Sequence, residues 1–239
     1  RNPTTNLVRP SVQRKNEIAS APELAQLVLF LLRAYQWHPE PVFLERSLAY
    51  LKAYQRYFRV DDRGDFREEV GTDGVDRKPG VQALYWEGPI RMARAAVLAY
   101  SLSGDKQALE LAQMVAERLT PALTFDTIVQ RSMVSDEIEA RDCSLATLLD
   151  LYEVTADRSY LGKAKALADD AIKRFLYRGL FVSSMKLQPE GDKSLRTRVY
   201  DARAGAGWLA LNLLRLQRDS DQTDAGSFRK LDRLDRIYG

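Results

Sequence analysis

A chain of 239 residues, 45% hydrophobic and 29% charged, has the composition of a soluble globular protein and the length for one sizeable core. It contains no run of about 18 uncharged apolar residues, since the best candidate, Leu24 to Leu32, is short and holds Gln26, so no membrane span is expected. The formal charge of +3 is spread over interspersed acids and bases, which argues against nucleic acid as a partner, and the single cysteine, Cys143, excludes an internal disulfide. The opening Arg1-Asn2-Pro3 offers neither an initiator Met nor a targeting segment, so residues 1–239 are expected to form one domain from the C-terminal part of a longer chain.

Apolar spacing at i, i+3, i+4 and i+7 predicts helices, in chain order, at about Pro22 to Gln36, Pro41 to Phe58, Pro89 to Leu102, Asp105 to Leu119, Arg141 to Val154, Ser159 to Phe175 and Asp201 to Gln217. Pro22, Pro41 and Pro89 fall in first turns, where the missing N–H would have no intrahelical acceptor. The runs Leu27 to Leu32 and Trp208 to Leu214 are apolar almost all round, as in helices surrounded by protein. The sequence from Lys163 to Asp170 instead presents a charged face to water. Inner and outer helices are therefore expected to alternate.

A repeat supports the pairing of these helices into hairpins. Tyr100, Gly104, Asp105, Leu109 and Ala112 recur at identical offsets as Tyr152, Ala156, Asp157, Leu161 and Ala164, and more loosely as Tyr35, Pro39, Glu40, Leu44 and Ser47. A period of about 50 residues suits stacked helix pairs that cannot bury their apolar faces alone. The fold class expected is mainly α, an (α/α) toroid or barrel, complete or open, with short β excursions on one face. The strand-like runs Asp65 to Val70 and Gly179 to Met185 supply those excursions.

The connections are unequal. Outward turns such as Ser103-Gly104 take a few residues, whereas the returns Arg59 to Gly88, Thr120 to Ala140 and Leu176 to Tyr200 are long. Loops of that length are usually functional, and in an alternating ring they emerge together above the N-termini of the inner helices. Those N-termini mix acids, arginines and aromatics: Trp86, Glu87 and Arg91; Glu139, Arg141 and Asp142; Arg198, Tyr200 and Arg203. These nine residues are the candidate substrate-binding set, since stacking rings beside bidentate donors hold sugars and sugar acids. The plainer reading is that the acids serve the helix dipole and the arginines form ion pairs between helices. Arg131, Lys186, Lys193, Arg196 and Arg198 on two of the return loops would add a basic rim.

Other motifs carry less chemistry. Asp136, Glu137, Glu139 and Asp142 invite a glycosidase reading, with two carboxylates flanking a scissile bond. Gly205 and Gly207 form a small-residue face that suits tight helix packing, or else a close approach by substrate, and they are no dinucleotide fingerprint. His38, the only histidine, lies on a short turn away from the expected mouth, so neither a histidine-based metal site nor a Ser/His triad can be built. Cys143 reads as a packing thiol.

The toroid pattern with Asn2-Pro3-Thr4-Thr5-Asn6, Tyr85-Trp86-Glu87-Gly88-Pro89-Ile90-Arg91, Ser184-Met185-Lys186-Leu187-Gln188-Pro189-Glu190-Gly191 and Ala204-Gly205-Ala206-Gly207-Trp208-Leu209 resembles bacterial polysaccharide lyases, most of all the C-terminal part of family 2 pectate lyases. The resemblance implies β-elimination of polygalacturonate, an arginine base, a divalent metal held by two histidines and a glutamate, an acidic oligo- or polysaccharide as partner, and a periplasmic or secreted location. One histidine cannot supply that ligand set, so no metal ligand and no catalytic base is assigned in this chain. A glycoside hydrolase using Glu139 or Asp142, and a non-catalytic helical scaffold for protein partners, remain the alternatives.

Overall fold

The computed structural model describes residues 2–8, 18–61, 65–76, 86–121, 137–181, 184–187, 196–199 and 206–221. The chain divides into two compact units, Arg1–Arg118 and Leu119–Gly239.

In the first unit, β1 (Ile18–Ser20) pairs antiparallel with β2 (Glu69–Gly71), Ala19 facing Val70. The strand β1 runs straight into α1 (Ala21–Trp37), whose Pro22 lies in the first turn and whose Leu24, Ala25, Val28, Leu31 and Leu32 are buried. After a turn at His38, α2 (Pro41–Phe58) returns, again with proline in its first turn. Tyr54 of α2 stacks on Phe58 and Phe66, with ring centroids 5.0 Å apart in each pair, and all three rings are buried. Each buried ring of this kind stabilises the fold by about 1.5–3 kcal/mol. Phe66 is held there by an antiparallel bridge to Arg59.

The return from α2 ends in a π-helical turn at Trp86–Ile90, which leads into α3 (Arg91–Ser103). Next comes α4 (Lys106–Arg118), with Ala108, Leu111, Ala112, Val115 and Ala116 buried on one stripe. The helix α3 packs against both α1 and α4, and α1 packs against α2, so α1 and α3 are the inner pair of this unit. Ion pairs of Arg67 with Asp76 at 2.7 Å and Arg118 with Asp65 at 3.0 Å secure the return segment.

The second unit is built on α5 (Glu137–Thr155), α6 (Arg158–Phe175) and α7 (Ala206–Asp221). Every residue from Arg141 to Asp150 is buried, so α5 is surrounded on all sides. It forms a hairpin with α6 and packs against α7, where Asp142 meets Asn212, Asp150 meets Arg215 and Glu153 meets Arg218. Contacts that advance together along both helices make α5 and α7 parallel, as two inner helices of successive hairpins must be. The outer helix α6 buries Tyr160, Ala164, Leu167, Ala168, Ala171 and Phe175, while Lys165 and Asp169 are exposed. Two small hairpins follow α6: β3 (Leu176–Tyr177) with β4 (Leu180–Phe181), and β5 (Ser184–Leu187) with β6 (Arg196–Val199). Arg178 and Gly179 between β3 and β4 both have positive φ, the two-residue turn that matches strand twist.

The tyrosine repeat has a backbone explanation. The N–H of Gly104 donates to the Tyr100 carbonyl at 2.7 Å, and that of Ala156 to the Tyr152 carbonyl at 2.8 Å, both residues being left-handed. Asp105 and Asp157 then cap the next helix, each accepting from an N–H two residues on, Gln107 or Ser159, at 2.9 Å. The hydroxyls of Ser103 and Thr155 complete the match, each accepting from the capping aspartate's N–H. The third copy departs: His38 is extended, and its N–H donates to the Ala34 carbonyl.

Two expectations from composition need correction. The apolar runs of α1 and α7 are not buried all round, because Phe30 is 68% exposed and Leu214 63% exposed. Each helix packs on its neighbours along one face, α1 on α2 and α3 and α7 on α5, which leaves apolar residues of the other face exposed. Gly207 has open space where a Cβ would stand, so helix packing does not require a glycine there; Gly205 lies outside the described residues.

Candidate functional site

In the first unit the entrances of the two inner helices lie side by side. The π-helical turn brings Trp86 and Glu87, described by backbone alone, to the start of α3, and Arg91 opens the helix half-buried. Such i→i+5 turns are rare and concentrate at functional sites. Pro89 within the turn has no N–H to give the preceding residues, which favours the wider winding. Gly88 is buried against Ala21, the first residue of α1, and a Cβ on it would stand 2.7 Å from the Ala21 Cβ.

In the second unit α5 opens with Glu137 to Ala140, whose backbone alone enters the description for Glu139. The next two residues point into protein. Arg141 is 2% exposed; its Nη2 donates to the Pro121 carbonyl at 2.9 Å and lies 2.9 Å from Asp170 Oδ2. Asp170 also accepts from Arg174 Nε one turn later at 2.9 Å. Asp142, equally hidden, accepts from Asn212 Nδ2 at 2.6 Å. Arg141 and Asp142 thus tie the first turn of α5 to the outer helix α6 on one side and to α7 on the other. Arg198 pairs with Met185 in the β5–β6 hairpin that precedes α7, its backbone alone being described. Tyr200 and Arg203 lie outside the described residues.

A second polar cluster, outside the residues singled out from the sequence, occupies the far ends of α5 and α7. Arg215 donates to Asp150 at 2.7 Å through Nη1 and to Glu153 at 3.1 Å through Nε. Arg218 lies 3.3 Å from Glu153 and bonds Asp219 at 2.7 Å. Burial raises the Glu153 carboxyl above its ordinary value; Arg215 pulls it down, and Asp150 and Asp219 push it up again. Burial works against the charge on Arg215, but Asp150 and then Glu153 outweigh it and leave the guanidinium more basic than usual. The signal for this cluster was the four-residue spacing of Arg215 and Asp219 and the three-residue spacing of Asp150 and Glu153, each marking one helix face.

The divalent metal implied by resemblance does not fit these residues. Among the described residues no group of three or more His, Cys, Asp or Glu side chains is arranged to hold a metal ion. His38 is exposed on its short turn and pairs with Glu40 at 3.0 Å. Cys143, the single cysteine, is a buried thiol. No described helix is long and apolar enough to cross a membrane.

Comparison with known proteins shows the fold class and the family. The chain is similar in structure to cellobiose 2-epimerase from Bacillus thermoamylovorans, with a TM-score of 0.65 at 14% identity over 87% of this chain and 58% of that one. It is also similar to an unsaturated glucuronyl hydrolase specific for heparin, with a TM-score of 0.62 at 17% identity over 93% and 66% of the two chains. A polysaccharide lyase matches with a TM-score of 0.53 at 17% identity over 86% and 55%. These likenesses show the fold class, an α/α toroid, and this chain spans about three-fifths of the length of the relatives it matches. No curated protein matches the sequence. The model of one family, described as periplasmic pectate lyase, matches residues 19–190, well over half of the chain and a range that includes Trp86 to Arg91 and Glu139 to Asp142. The chain belongs to the periplasmic pectate lyase family.

Proposed function

We propose that this chain supplies part of the cleft of a polysaccharide lyase that cleaves an acidic, pectate-like glycan by β-elimination in the periplasm. The observation that carries the reading is the family match over residues 19–190. The entrances of the inner helices support it, because helix N-termini offer free N–H groups and partial positive charge to carboxylates. Substrate contact belongs to Trp86, Glu87, Arg91, Glu139, Arg198, Tyr200 and Arg203. Arg141 and Asp142 hold the first turn of α5 in place, since burial and their bonds to Asp170 and Asn212 occupy them.

The reaction removes the proton on the carbon alpha to the uronate carboxylate, forms a carbon–carbon double bond and expels the glycosidic oxygen, which takes up a proton. The proton is weakly acidic until the carboxylate is neutralised, and arginines aimed at that group lower the barrier by stabilising the charge that develops beside it. In this role Arg91, Arg198 and Arg203 bind and orient uronate units, and Trp86 and Tyr200 stack on sugar faces. No base and no metal step is assigned to described residues.

The test is incubation of the intact protein with polygalacturonate, following ultraviolet absorbance and reducing ends together. Elimination gives both signals in step, because the new double bond is conjugated to the carboxylate. Reducing ends without absorbance identify a hydrolase, the activity named for several of the structural relatives. Neither signal on any uronate polymer leaves the scaffold reading.

A further inference from the structure

We propose that Gly88 is a positioning residue of the cleft: it lets the π-helical turn rest directly on Ala21 and so sets where Trp86 and Glu87 stand. This rests on the lyase reading, which makes Trp86 and Glu87 substrate contacts.

The two elements that meet here are each held from behind. Ala21 is fully buried, and its N–H donates to the Glu68 carbonyl at 2.8 Å. The residue before it, Ser20, is in register with Glu69 in the β1–β2 pair, so the tip of α1 is anchored to the return segment. On the other side, Ile90, Met92 and Ala93 are fully buried, which fixes α3 from its first turn onward. Between these fixtures lies Gly88, where an added Cβ would come within 2.7 Å of the Ala21 Cβ, far inside ordinary contact. Neither α1 nor the body of α3 can retreat without opening the core. A side chain at 88 therefore displaces the π-helical turn itself, and Trp86 and Glu87 move with it.

The size of the displacement sets the expected effect. Restoring ordinary contact requires a shift on the order of 1 Å, and misplacement by that distance costs about a hundredfold in rate where substrate must be oriented. The overlap involves one Cβ on each side, so it can be removed from either. Gly88→Ala is expected to lower kcat/KM on polygalacturonate by about tenfold to a hundredfold. Gly88→Ala combined with Ala21→Gly, which deletes the opposing methyl group, is expected to return it to within a few fold of the parent.

The experiment uses the intact protein carrying Trp37→Phe and Trp208→Phe. Both replaced tryptophans are exposed, at 83% and 38%, and their loss makes Trp86 the sole tryptophan of the chain. Emission of Trp86 is recorded with and without oligogalacturonate, beside thermal melting and turnover. The proposal requires Gly88→Ala to shift the ligand-free emission and weaken the response to oligogalacturonate, and the double variant to recover both. Unchanged emission in Gly88→Ala overturns it. So does a double variant that recovers its melting temperature but not its emission. If the parent neither turns over uronate polymers nor responds to oligogalacturonate, the lyase reading fails, while the ligand-free emission still decides whether Gly88 and Ala21 set the turn.

Discussion

Asp142 and Asn212, seventy residues apart, meet across α5 and α7 through a buried hydrogen bond of 2.6 Å. The bond lies one residue beyond Arg141, whose guanidinium reaches Asp170 on the opposite side of α5. Together they fix the rotation and height of the helix whose first turn carries Glu139. Asn212→Leu removes the donor from a buried carboxylate and is expected to cost about 1–3 kcal/mol in urea unfolding. Asp142→Asn keeps the shape and an acceptor oxygen, and is expected to cost less than Asn212→Leu. Activity should follow stability in both variants. A large loss of activity in Asp142→Asn at unchanged stability would instead make Asp142 a direct substrate contact.

Arg215 is the cation on which the far ends of α5 and α7 depend. It lies within 2.7 Å of Asp150 and 3.0 Å of Glu153, and is itself 6% exposed. Truncating one member of such a group leaves charge buried without its counterion, which outweighs the modest net worth of the intact pair. Arg215→Met, similar in length but uncharged, is expected to destabilise the protein by about 3–5 kcal/mol. Arg215→Lys should recover only part of this, since one ammonium cannot reproduce the fork that serves two carboxylates. An unfolding midpoint for Arg215→Met equal to the parent's would show that the ion pairs add nothing to stability.

The same cluster predicts a pH dependence with a definite sign. Burial first, and then the neighbouring Asp150 and Asp219, hold the Glu153 carboxyl above its unfolded value of 4.5 despite the opposing pull of Arg215. Relative to the unfolded chain, the folded protein therefore binds the Glu153 proton more tightly. Its contribution to stability is complete below pH 4.5 and is lost as pH rises through the elevated folded value. Glu153→Gln has no proton to lose, so its stability relative to the parent should increase as pH is raised from that range toward neutrality. Urea midpoints of both proteins at a series of pH values give the comparison. A parent that gains on Glu153→Gln with rising pH would show that Arg215 and Arg218 dominate the site.

Local physics made much of this fold readable. The range Pro41 to Phe58 was expected and is found, because proline fixes one end and apolar periodicity carries the rest. The tyrosine repeat marked true hairpins, since the left-handed residue and the capping aspartate are requirements of the turn itself. The hydroxyls of Ser103 and Thr155 stand at the same offset and belong to the same turn. Partners distant in the chain were not readable. Arg141 and Asp142 look like surface charges at a helix start until Asp170 and Asn212 are placed beside them, and the need for glycine at 88 comes from a methyl group 67 positions earlier. Nor does apolar composition reveal how many neighbours a helix has, as the exposed Phe30 and Leu214 show.

Gly104 and Ala156 occupy equivalent places in the two faithful repeats, with φ of 71° and 61°. The left-handed conformation brings a Cβ close to the following carbonyl, a cost of about 1 kcal/mol that glycine escapes. Since the hydrogen bonds and caps around the two residues match, the same exchange made in opposite directions should have opposite effects. Nothing stands within 4 Å of a Cβ built on Gly104, so packing contributes little to the comparison. Gly104→Ala is expected to destabilise the protein by about 1 kcal/mol, and Ala156→Gly to stabilise it by a somewhat smaller amount, because glycine also widens the unfolded ensemble. Thermal melting of the two variants and of the double exchange measures both signs. A loss of stability in Ala156→Gly would mean that the alanine methyl group makes a contact worth more than the strain of its backbone.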